Sequence, residues 1–246
     1  MHRNPSRLYS HHVANLRELD IALRNIARLA RAAIASSDPQ QSLRTLLRMY
    51  SFLIGAWAEC RLQKLLHEEF GFSDIERTEV NSQDTQLAQW KMSVDLAFRK
   101  HHSIRNAPLD KRVLGVATAA RREALLEVLE KDLRIIIEIR NRLAHGQWIY
   151  PLDSTGKRVE QDKYQALNRE NLQSLQFKLA LVSHIADAVH DLVVSPETFE
   201  RDFEAHFRKL YQVKKNMQSK NYAKYEAALV TARHKARIAR RDLSNP

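Results

Sequence analysis

Cysteine, glycine and proline are scarce in this chain of 246 residues. The single cysteine, Cys60, excludes a disulfide framework and any zinc or iron–sulfur site built from several thiolates. Five glycines and six prolines supply little turn chemistry for a fold of many strands. Wholesale disorder is also excluded, because 44% of the residues are hydrophobic and 28% are charged. The composition therefore favours an all-α fold.

Long hydrophobic runs are absent as well. No stretch of about 18 uncharged apolar residues occurs, which argues against a membrane-spanning helix. The first thirty residues include Arg3, Arg7 and Arg17 and have no apolar segment of the secretory kind. The lack of a disulfide framework indicates a reducing compartment. We therefore expect a soluble, cytoplasmic protein that does not engage a membrane.

Positive charge is in excess and is concentrated at one end of the chain. The net charge of +11 predicts a polyanionic partner, with nucleic acid favoured over a membrane. From residue 205 onward there are eleven basic and two acidic residues. A cationic arm there would bind phosphates without reading bases, and a solvated helix face is the alternative. The residues predicted to bind nucleic acid are Lys214, Lys215, Lys220, Lys224, Arg233, Lys235 and Arg237.

Apolar residues recur at steps of three and four along most of the chain, as they do on one face of a helix. Helices are predicted over 13–34, 39–70, 87–101, 118–144 and 172–192 and from 196 onward, with an irregular segment at 71–84. Expected boundary residues are Gly71 as a left-handed stop and Thr118 and Asn168 as N-caps. Residues 148–159 predict a small β-hairpin. We expect an up-and-down helical bundle over 1–195, with the hairpin after the 118–144 helix, and a basic helical arm over 196–246.

The predicted helix over 118–144 is apolar around nearly its whole circumference. Leu129, Leu133 and Ile136 form one stripe, while Ile135 and Ile139 extend the apolar surface beyond it. Such a helix must be covered on several sides. It is either the central helix of a monomer, or it has one face in the core and another in a dimer interface.

Several catalytic motifs are missing, among them a Gly-rich phosphate loop, the His-Glu pair of zinc proteases and a nucleophile elbow. What remains is the run Arg140-Asn141-Arg142-Leu143-Ala144-His145. Arg7 with His12, and Arg201 with His206, have the same spacing. Residues five apart on a helix point about 140° apart, so such a pair does not easily serve one substrate group in mid-helix.

The pair of Arg140 and His145 differs from the other two because Gly146 follows at once. The glycine predicts the end of the helix, which would let the imidazole turn back toward Arg140. Arg140 also continues an apolar stripe, and there a guanidinium needs an anionic partner, either Glu59 or a phosphate. A purely structural interpretation is that Arg140 pairs with Glu59 in the core and His145 caps its helix.

In the stretch from Glu138 to Gly146 the chain resembles the HEPN superfamily. These helical nucleotide- and RNA-handling domains carry, in their active members, an Arg, usually a polar residue next, and a His four to six positions after the Arg. The likeness covers about residues 10–195. It implies a metal-independent, cofactor-free endoribonuclease that acts on RNA as a homodimer, often as a toxin with an antitoxin or as a regulated phage-defence effector. Some relatives have lost catalysis and only bind or dimerise.

The residue types suit RNA cleavage without metal. Histidine can move protons near neutral pH, and a guanidinium matches the oxygens of a phosphorane. We assign proton transfer to His145, charge stabilisation to Arg140 and a supporting role to Asn141. One His145 cannot fill both proton roles, but a two-fold dimer would supply a second copy. The expected products carry a 2′,3′-cyclic phosphate and a 5′-hydroxyl.

Aromatic and histidine residues elsewhere receive simpler interpretations. Trp148 and Tyr150 follow His145 closely and are interpreted as packing residues, with contact to an RNA base as the alternative. His101 and His102 are interpreted as surface or satisfied core histidines, with a ligand role as the alternative. No metal site is predicted.

Overall fold

The computed structural model describes residues 7–36 and 40–243, and within these ranges the chain is helical and has no strand. The prediction of an all-α fold is confirmed. The helices are α1 (Arg7–Ala35), α2 (Gln40–Leu66), α3 (Asp74–Asn81), α4 (Gln86–His101), α5 (Lys111–Leu114), α6 (Val116–Val128), α7 (Arg134–Ala144), α8 (Gln161–Asn168), α9 (Leu172–Val194), α10 (Pro196–Ser219) and α11 (Tyr222–Leu243). A π-helical turn, Leu129–Leu133, joins α6 to α7.

Helix α2 lies at the centre of the fold and packs against α1, α7 and α9. Helix α1 meets it with a buried stripe that includes Leu23, Ala27 and Ala30. The steps of four and three between these residues place them on one face of the helix. Because two of them are alanines, the α1 backbone can approach α2 closely, and a single main core forms around α2.

Helix α9 supplies much of this core, and its N-cap lies three residues after the predicted cap. The side chain of Asn171 accepts a hydrogen bond from the N–H of Ser174, and the Ser174 hydroxyl accepts one from the N–H of Asn171. This reciprocal capping box starts α9. The predicted cap, Asn168, is instead the last residue of α8.

Other predicted boundaries are also wrong, and α1 already begins at Arg7 rather than at residue 13. Helix α2 ends at Leu66, and the left-handed residue is Phe70 (φ 65°) rather than Gly71. The segment predicted as irregular contains α3, which starts with a capping box from Ser73. The helix expected to begin at Thr118 begins at Val116, directly after Gly115 in a left-handed conformation.

The predicted hairpin after α7 does not form strands. Residues 148–159 make a single antiparallel bridge between Leu152 and Val159. The Asp153 carboxylate accepts hydrogen bonds from the N–H and hydroxyl of Thr155 and from the N–H of Lys157, and so closes a tight turn. Most residues of this short segment belong to the turn, so too few remain on either side for a ladder of paired strands.

The C-terminal region is two helices, of which the first belongs to the main core. Pro196 occupies the first turn of α10, and α10 packs along α9 with Phe199, Phe203 and Leu210 buried. The predicted domain boundary at 195/196 therefore falls at a turn between two helices that pack together. The chain breaks helical geometry at Lys220, and α11 then packs on α1. None of the helices in the described ranges is both long and apolar enough to cross a membrane.

Candidate active site at the end of helix α7

Both apolar faces of α7 are covered within one chain. Ile136 and Ile137 belong to the main core, on the side of α2. Ile139 and Leu143 pack on the other side against Leu167 of α8 in a second, smaller cluster, and each is at most 3% exposed. The extended apolar circumference is therefore explained by α2 and α8, and it does not by itself require a dimer interface.

Arg140 lies in the contact between α7 and α2, against Gly55. A Cβ atom on Gly55 would lie 2.7 Å from Arg140 Cγ, closer still to its Cβ, and 3.4 Å from the carbonyl oxygen of Ile136. Only a glycine leaves room for the stem of the arginine at this point. The close approach carries the guanidinium across the surface of α2 to Glu59, one turn beyond Gly55.

The guanidinium of Arg140 has two polar partners. It forms an ion pair with Glu59, one of its two predicted partners, and its Nη1 donates a 2.9 Å hydrogen bond to Oδ1 of Asn141. Nε of Arg140 is buried and has no hydrogen-bond partner among the described residues. Burial lowers the pKa of Arg140 from its ordinary value. The side chain is thus held between α2 and the exposed end of α7.

Helix α7 stops at His145 by a Schellman arrangement. The N–H of Gly146 donates to the carbonyl of Leu143 (3.1 Å), and the N–H of Gln147 donates to the carbonyl of Arg142 (3.0 Å). Gly146 has a φ of 75°, as this stop requires. The predicted helix end is correct. It leaves His145 as the capping residue, with an exposed side chain.

Asn141 and His145 lie one turn apart on the same exposed face of α7. Within 7–36 and 40–243, the imidazole of His145 has no hydrogen bond or ion pair, so it is available to solvent and to a ligand. Arg140 reaches this face through its hydrogen bond to Asn141. The three motif residues therefore form one chain of neighbours, although Arg140 and His145 do not contact each other directly.

A second surface adjoins Glu59, on the side of α1. The Glu59 carboxylate, with His12, Glu18 and Gln63, lines an open groove of about 660 Å³ between α1 and α2. Two carboxylates in its lining disfavour a phosphate there. A phosphate is better accommodated on the face with Asn141 and His145.

The segment after His145 is anchored by a buried arginine that the sequence analysis did not identify. Arg48 of α2 is only 4% exposed and donates to the carbonyls of Trp148 (3.1 Å) and Leu167 (2.6 Å). Its charge is balanced by the buried Glu170, 3.6 Å away, which also accepts hydrogen bonds from Ser51 (2.9 Å) and Lys178 (2.7 Å). Burial lowers the pKa of Arg48, an effect that Glu170 opposes. No pattern in the local sequence indicates this role, because the partners Leu167 and Glu170 lie more than a hundred residues further along the chain.

Trp148 and Tyr150, the two aromatic residues that follow His145, are held by contacts but remain accessible. The indole N–H of Trp148 donates to the carbonyl of Leu143 (3.1 Å), and the ring of Tyr150 stacks on Tyr164 at 5.7 Å. Trp148, Ile149 and Tyr150 are 36%, 47% and 56% exposed. An apolar, partly aromatic surface therefore lies directly beside His145.

The two other pairs with the same spacing do not form a site. Arg201 pairs with its neighbour Asp202 at the surface, whereas His206 is buried and its Nε2 lies 3.0 Å from Asp191. These side chains diverge as expected for residues five apart in mid-helix. His12 stacks on His67 at 4.9 Å.

The predicted nucleic-acid-binding residues divide into paired and free groups. Lys214 forms a 2.9 Å ion pair with Asp132, and Arg233 donates to the carbonyl of Ala32 (2.7 Å). The others are exposed: Lys215, Lys220, Lys224, Lys235 and Arg237. Lys224 and Lys235 are eleven residues apart in α11 and so share one face within about 20°, while Arg233 points about 180° away from Lys224. The outward face of α11 is therefore cationic.

The motif side chains are a guanidinium, an amide and a single imidazole, which is not a set of ligands that holds a metal ion. Their chemistry is phosphate binding and proton transfer. No family model, no curated protein and no solved structure matches this chain.

Proposed function

We propose that this protein is a metal-independent endoribonuclease of HEPN type, acting as a homodimer in the cytoplasm through Arg140, Asn141 and His145. The observation that carries the proposal is the arrangement at the end of α7. The helix stops at His145, the imidazole is exposed one turn from Asn141, and Asn141 accepts a hydrogen bond from Arg140. A proton-transfer group and a phosphate-binding group thus flank one accessible surface.

Cleavage on this surface is an internal displacement at phosphorus. One His145 takes the proton of the ribose 2′-hydroxyl as the 2′-oxygen forms its bond to phosphorus. The bond from phosphorus to the 5′-oxygen breaks, and the second His145 of the dimer protonates that oxygen. Arg140 stabilises the negative charge that builds up on the phosphorane, and Asn141 orients the groups. The products are a 2′,3′-cyclic phosphate and a 5′-hydroxyl.

The dimer would place the exposed surface of Trp148, Ile149 and Tyr150 next to the symmetry axis, beside the paired His145 residues. Aromatic and aliphatic side chains at 36% to 56% exposure are suited to burial in a subunit contact or to stacking on an RNA base. The basic outward face of α11 would add phosphate affinity outside the site. A role as a toxin or defence effector, restrained by an antitoxin or a regulatory protein, fits such a nuclease.

The direct test is incubation of tag-free protein with mixed RNA in EDTA. Wild type should cleave and leave 5′-hydroxyl ends that polynucleotide kinase labels without prior phosphatase treatment. His145→Ala should lower the rate by about 10²-fold to 10⁴-fold, the usual contribution of general acid–base catalysis. His11→Ala, which removes an exposed histidine of α1, should cleave like wild type.

The nuclease proposal fails if His145→Ala cleaves at the wild-type rate, or if an RNA with 2′-deoxyribose at the cleaved position is still cut there. It also fails if sedimentation shows a monomer at concentrations where cleavage proceeds. These measurements report the reaction itself, and far-UV circular dichroism of each variant checks that the helices are retained.

A second candidate function is non-catalytic binding of nucleic acid or a partner protein by the same dimer. The observation that favours it is the ion pair between Arg140 and Glu59, which already neutralises the guanidinium. In that case RNA is bound and recovered intact, and the affinity of His145→Ala equals that of wild type.

A further inference from the structure

Two helices that are distant in sequence bring a compact group of metal-ligand side chains together, away from the α7 motif. His101 ends α4 and His102 caps it, while Glu200 lies in the second turn of α10. Potential ligand atoms of these three residues all lie within 4.8 Å of one another. Among the residues that the structure describes, no other set of three His, Cys, Asp or Glu side chains is as close.

Two atoms of this cluster are buried without a hydrogen-bond partner in the described ranges, namely Nε2 of His102 and Oε1 of Glu200. Buried polar atoms are nearly always satisfied, because losing water without a replacement bond costs free energy. Nε2 of His102 is thus not satisfied by a hydrogen bond within the described residues, which favours the alternative ligand role for this histidine. Both atoms belong to residues whose potential ligand atoms lie within 4.8 Å of one another, and a cation bound between the side chains would satisfy them.

Neighbouring side chains hold the cluster in position. The ring of Phe98 stacks on the ring of His102 at 6.3 Å with an interplanar angle of 6°. Arg121 forms an ion pair with Oε2 of Glu200, which leaves Oε1 as the free oxygen. Support of ligands by surrounding groups is characteristic of metal sites. The rings of His101 and His102 meet edge to face at 4.6 Å, so both imidazoles lie on the same side of the helix end.

We propose that His101, His102 and Glu200 bind one divalent transition-metal ion, with Zn²⁺ as the expected ion. Two imidazole nitrogens and one carboxylate oxygen form a donor set that Zn²⁺ accepts, and a water or another small ligand would complete its coordination. Hard ions such as Mg²⁺ prefer sites made of oxygen alone. In a tetrahedral site with bonds of about 2.1 Å the donor atoms stand about 3.4 Å apart, so the side chains need to close by about 1.4 Å or less.

Burial lowers the pKa of His102, and the proximity of His101 lowers it further. Imidazoles bind a metal ion in their neutral form, so metal affinity at such a site falls in acid.

Metal binding here would fasten α10 to α4, next to the edge-to-face contact of Phe98 and Phe199 that already joins them. An ion that binds the folded chain and not the unfolded one stabilises it by mass action. The site contains no residue of the α7 motif, so RNA cleavage and metal binding are independent. A chelator would strip the ion and leave the nuclease chemistry unaffected.

The experiment uses tag-free full-length protein, stripped with a chelator, exchanged into metal-free buffer and titrated with ZnCl2. Calorimetry should show one ion bound per chain, and the thermal midpoint should rise by about 5 °C when Zn²⁺ is about a hundredfold above Kd. Co²⁺ should give the visible absorption of a tetrahedral site with nitrogen and oxygen ligands. MgCl2 at the same concentration should produce neither the heat of binding nor the shift in midpoint.

The variants His102→Ala and Glu200→Gln should each lower Zn²⁺ affinity at least tenfold and abolish the Co²⁺ spectrum. His234→Ala, which removes an exposed histidine of α11, should bind like wild type. Each variant is checked for helix content by circular dichroism. The proposal is overturned if wild type binds no Zn²⁺, or if a folded Glu200→Gln variant and a folded His102→Ala variant bind it as tightly as wild type.

Discussion

Gly55 of α2 and Arg140 of α7 occupy one contact: a Cβ atom on the glycine would come within 2.7 Å of Arg140 Cγ. The distance between the two helices at this point is therefore set by the absence of a side chain on Gly55. The same close approach of the two helices determines how far the Arg140 guanidinium reaches toward Glu59 and Asn141. A small change in α2 should consequently affect both the stability of the fold and the position of the candidate catalytic arginine.

Gly55→Ala should destabilise the protein, although alanine is the better helix former. Overpacking costs about 1–3 kcal/mol, more than the roughly 1 kcal/mol that alanine gains over glycine in a helix, and a net loss of about 1 kcal/mol is expected. Urea denaturation measures it as a lower midpoint. The control Ser42→Ala, at an exposed position of the same helix, should change the free energy of unfolding by less than about 0.5 kcal/mol. If the urea midpoint of Gly55→Ala were unchanged or higher, the result would show that α2 and α7 can move slightly apart without a loss in the free energy of unfolding.

The outward face of α11 should account for part of the salt dependence of RNA binding. Lys224 and Lys235 are exposed on one face, and for single-stranded RNA each phosphate contact contributes about 0.7 to the slope of log K against log salt. The double variant Lys224→Gln/Lys235→Gln should therefore lower the slope by about 1.4. Lys214→Gln should leave it nearly unchanged, because Lys214 is paired with Asp132. A slope for Lys224→Gln/Lys235→Gln equal to that of wild type would mean that this face of α11 does not contact the nucleic acid.

Acid should destabilise the protein partly through Glu68. Burial alone would raise the pKa of this carboxyl, but hydrogen bonds from His190, Lys64 and Tyr9 and the charge of Lys64 outweigh burial and lower the pKa to about 2. The stability that Glu68 contributes is therefore complete above its ordinary pKa of 4.5, declines as the pH falls from 4.5 to 2, and is gone below 2.

Glu68→Gln tests this contribution. At pH 7 the variant should lose about 1–2 kcal/mol of the free energy of unfolding, a value reduced for partial solvent screening. Its stability should also fall less steeply than that of wild type between pH 4.5 and pH 2. Glu69→Gln, at the exposed neighbouring position, is the matched control and should follow the wild-type curve. Parallel curves for Glu68→Gln and wild type would contradict the assignment.

The local features of the candidate site could be predicted from the sequence. Gly146 directly after His145 predicts the helix end, because a left-handed residue with no Cβ is the usual stop. Arg140 within an apolar stripe requires an anionic partner, and Glu59 is one of two candidates that the sequence indicates. The first inference depends on two adjacent residues. The second depends on a single strong requirement, namely that a guanidinium on an apolar stripe has an anionic partner.

Contacts across long sequence separations could not be predicted in the same way. The burial of Ile139 and Leu143 depends on where α8, a later helix, packs. This burial also accounts for the apolar surface of α7 for which a dimer interface was one of two interpretations. The pairing of Arg48 in α2 with Glu170, in the connection between α8 and α9, joins segments more than a hundred residues apart. The convergence of His102 and Glu200 likewise requires α10 to pack back on the body of the fold.

The amino-acid order by itself determined the helical class, the end of α7 and the cationic character of the C-terminal region, because helix periodicity, a glycine stop and charge are properties of neighbouring residues. The tertiary structure alone decided which faces are covered, which charges are paired and where the histidines meet a carboxylate. Those outcomes depend on the packing of whole helices, and the free energy of packing is summed over contacts that no short stretch of sequence contains.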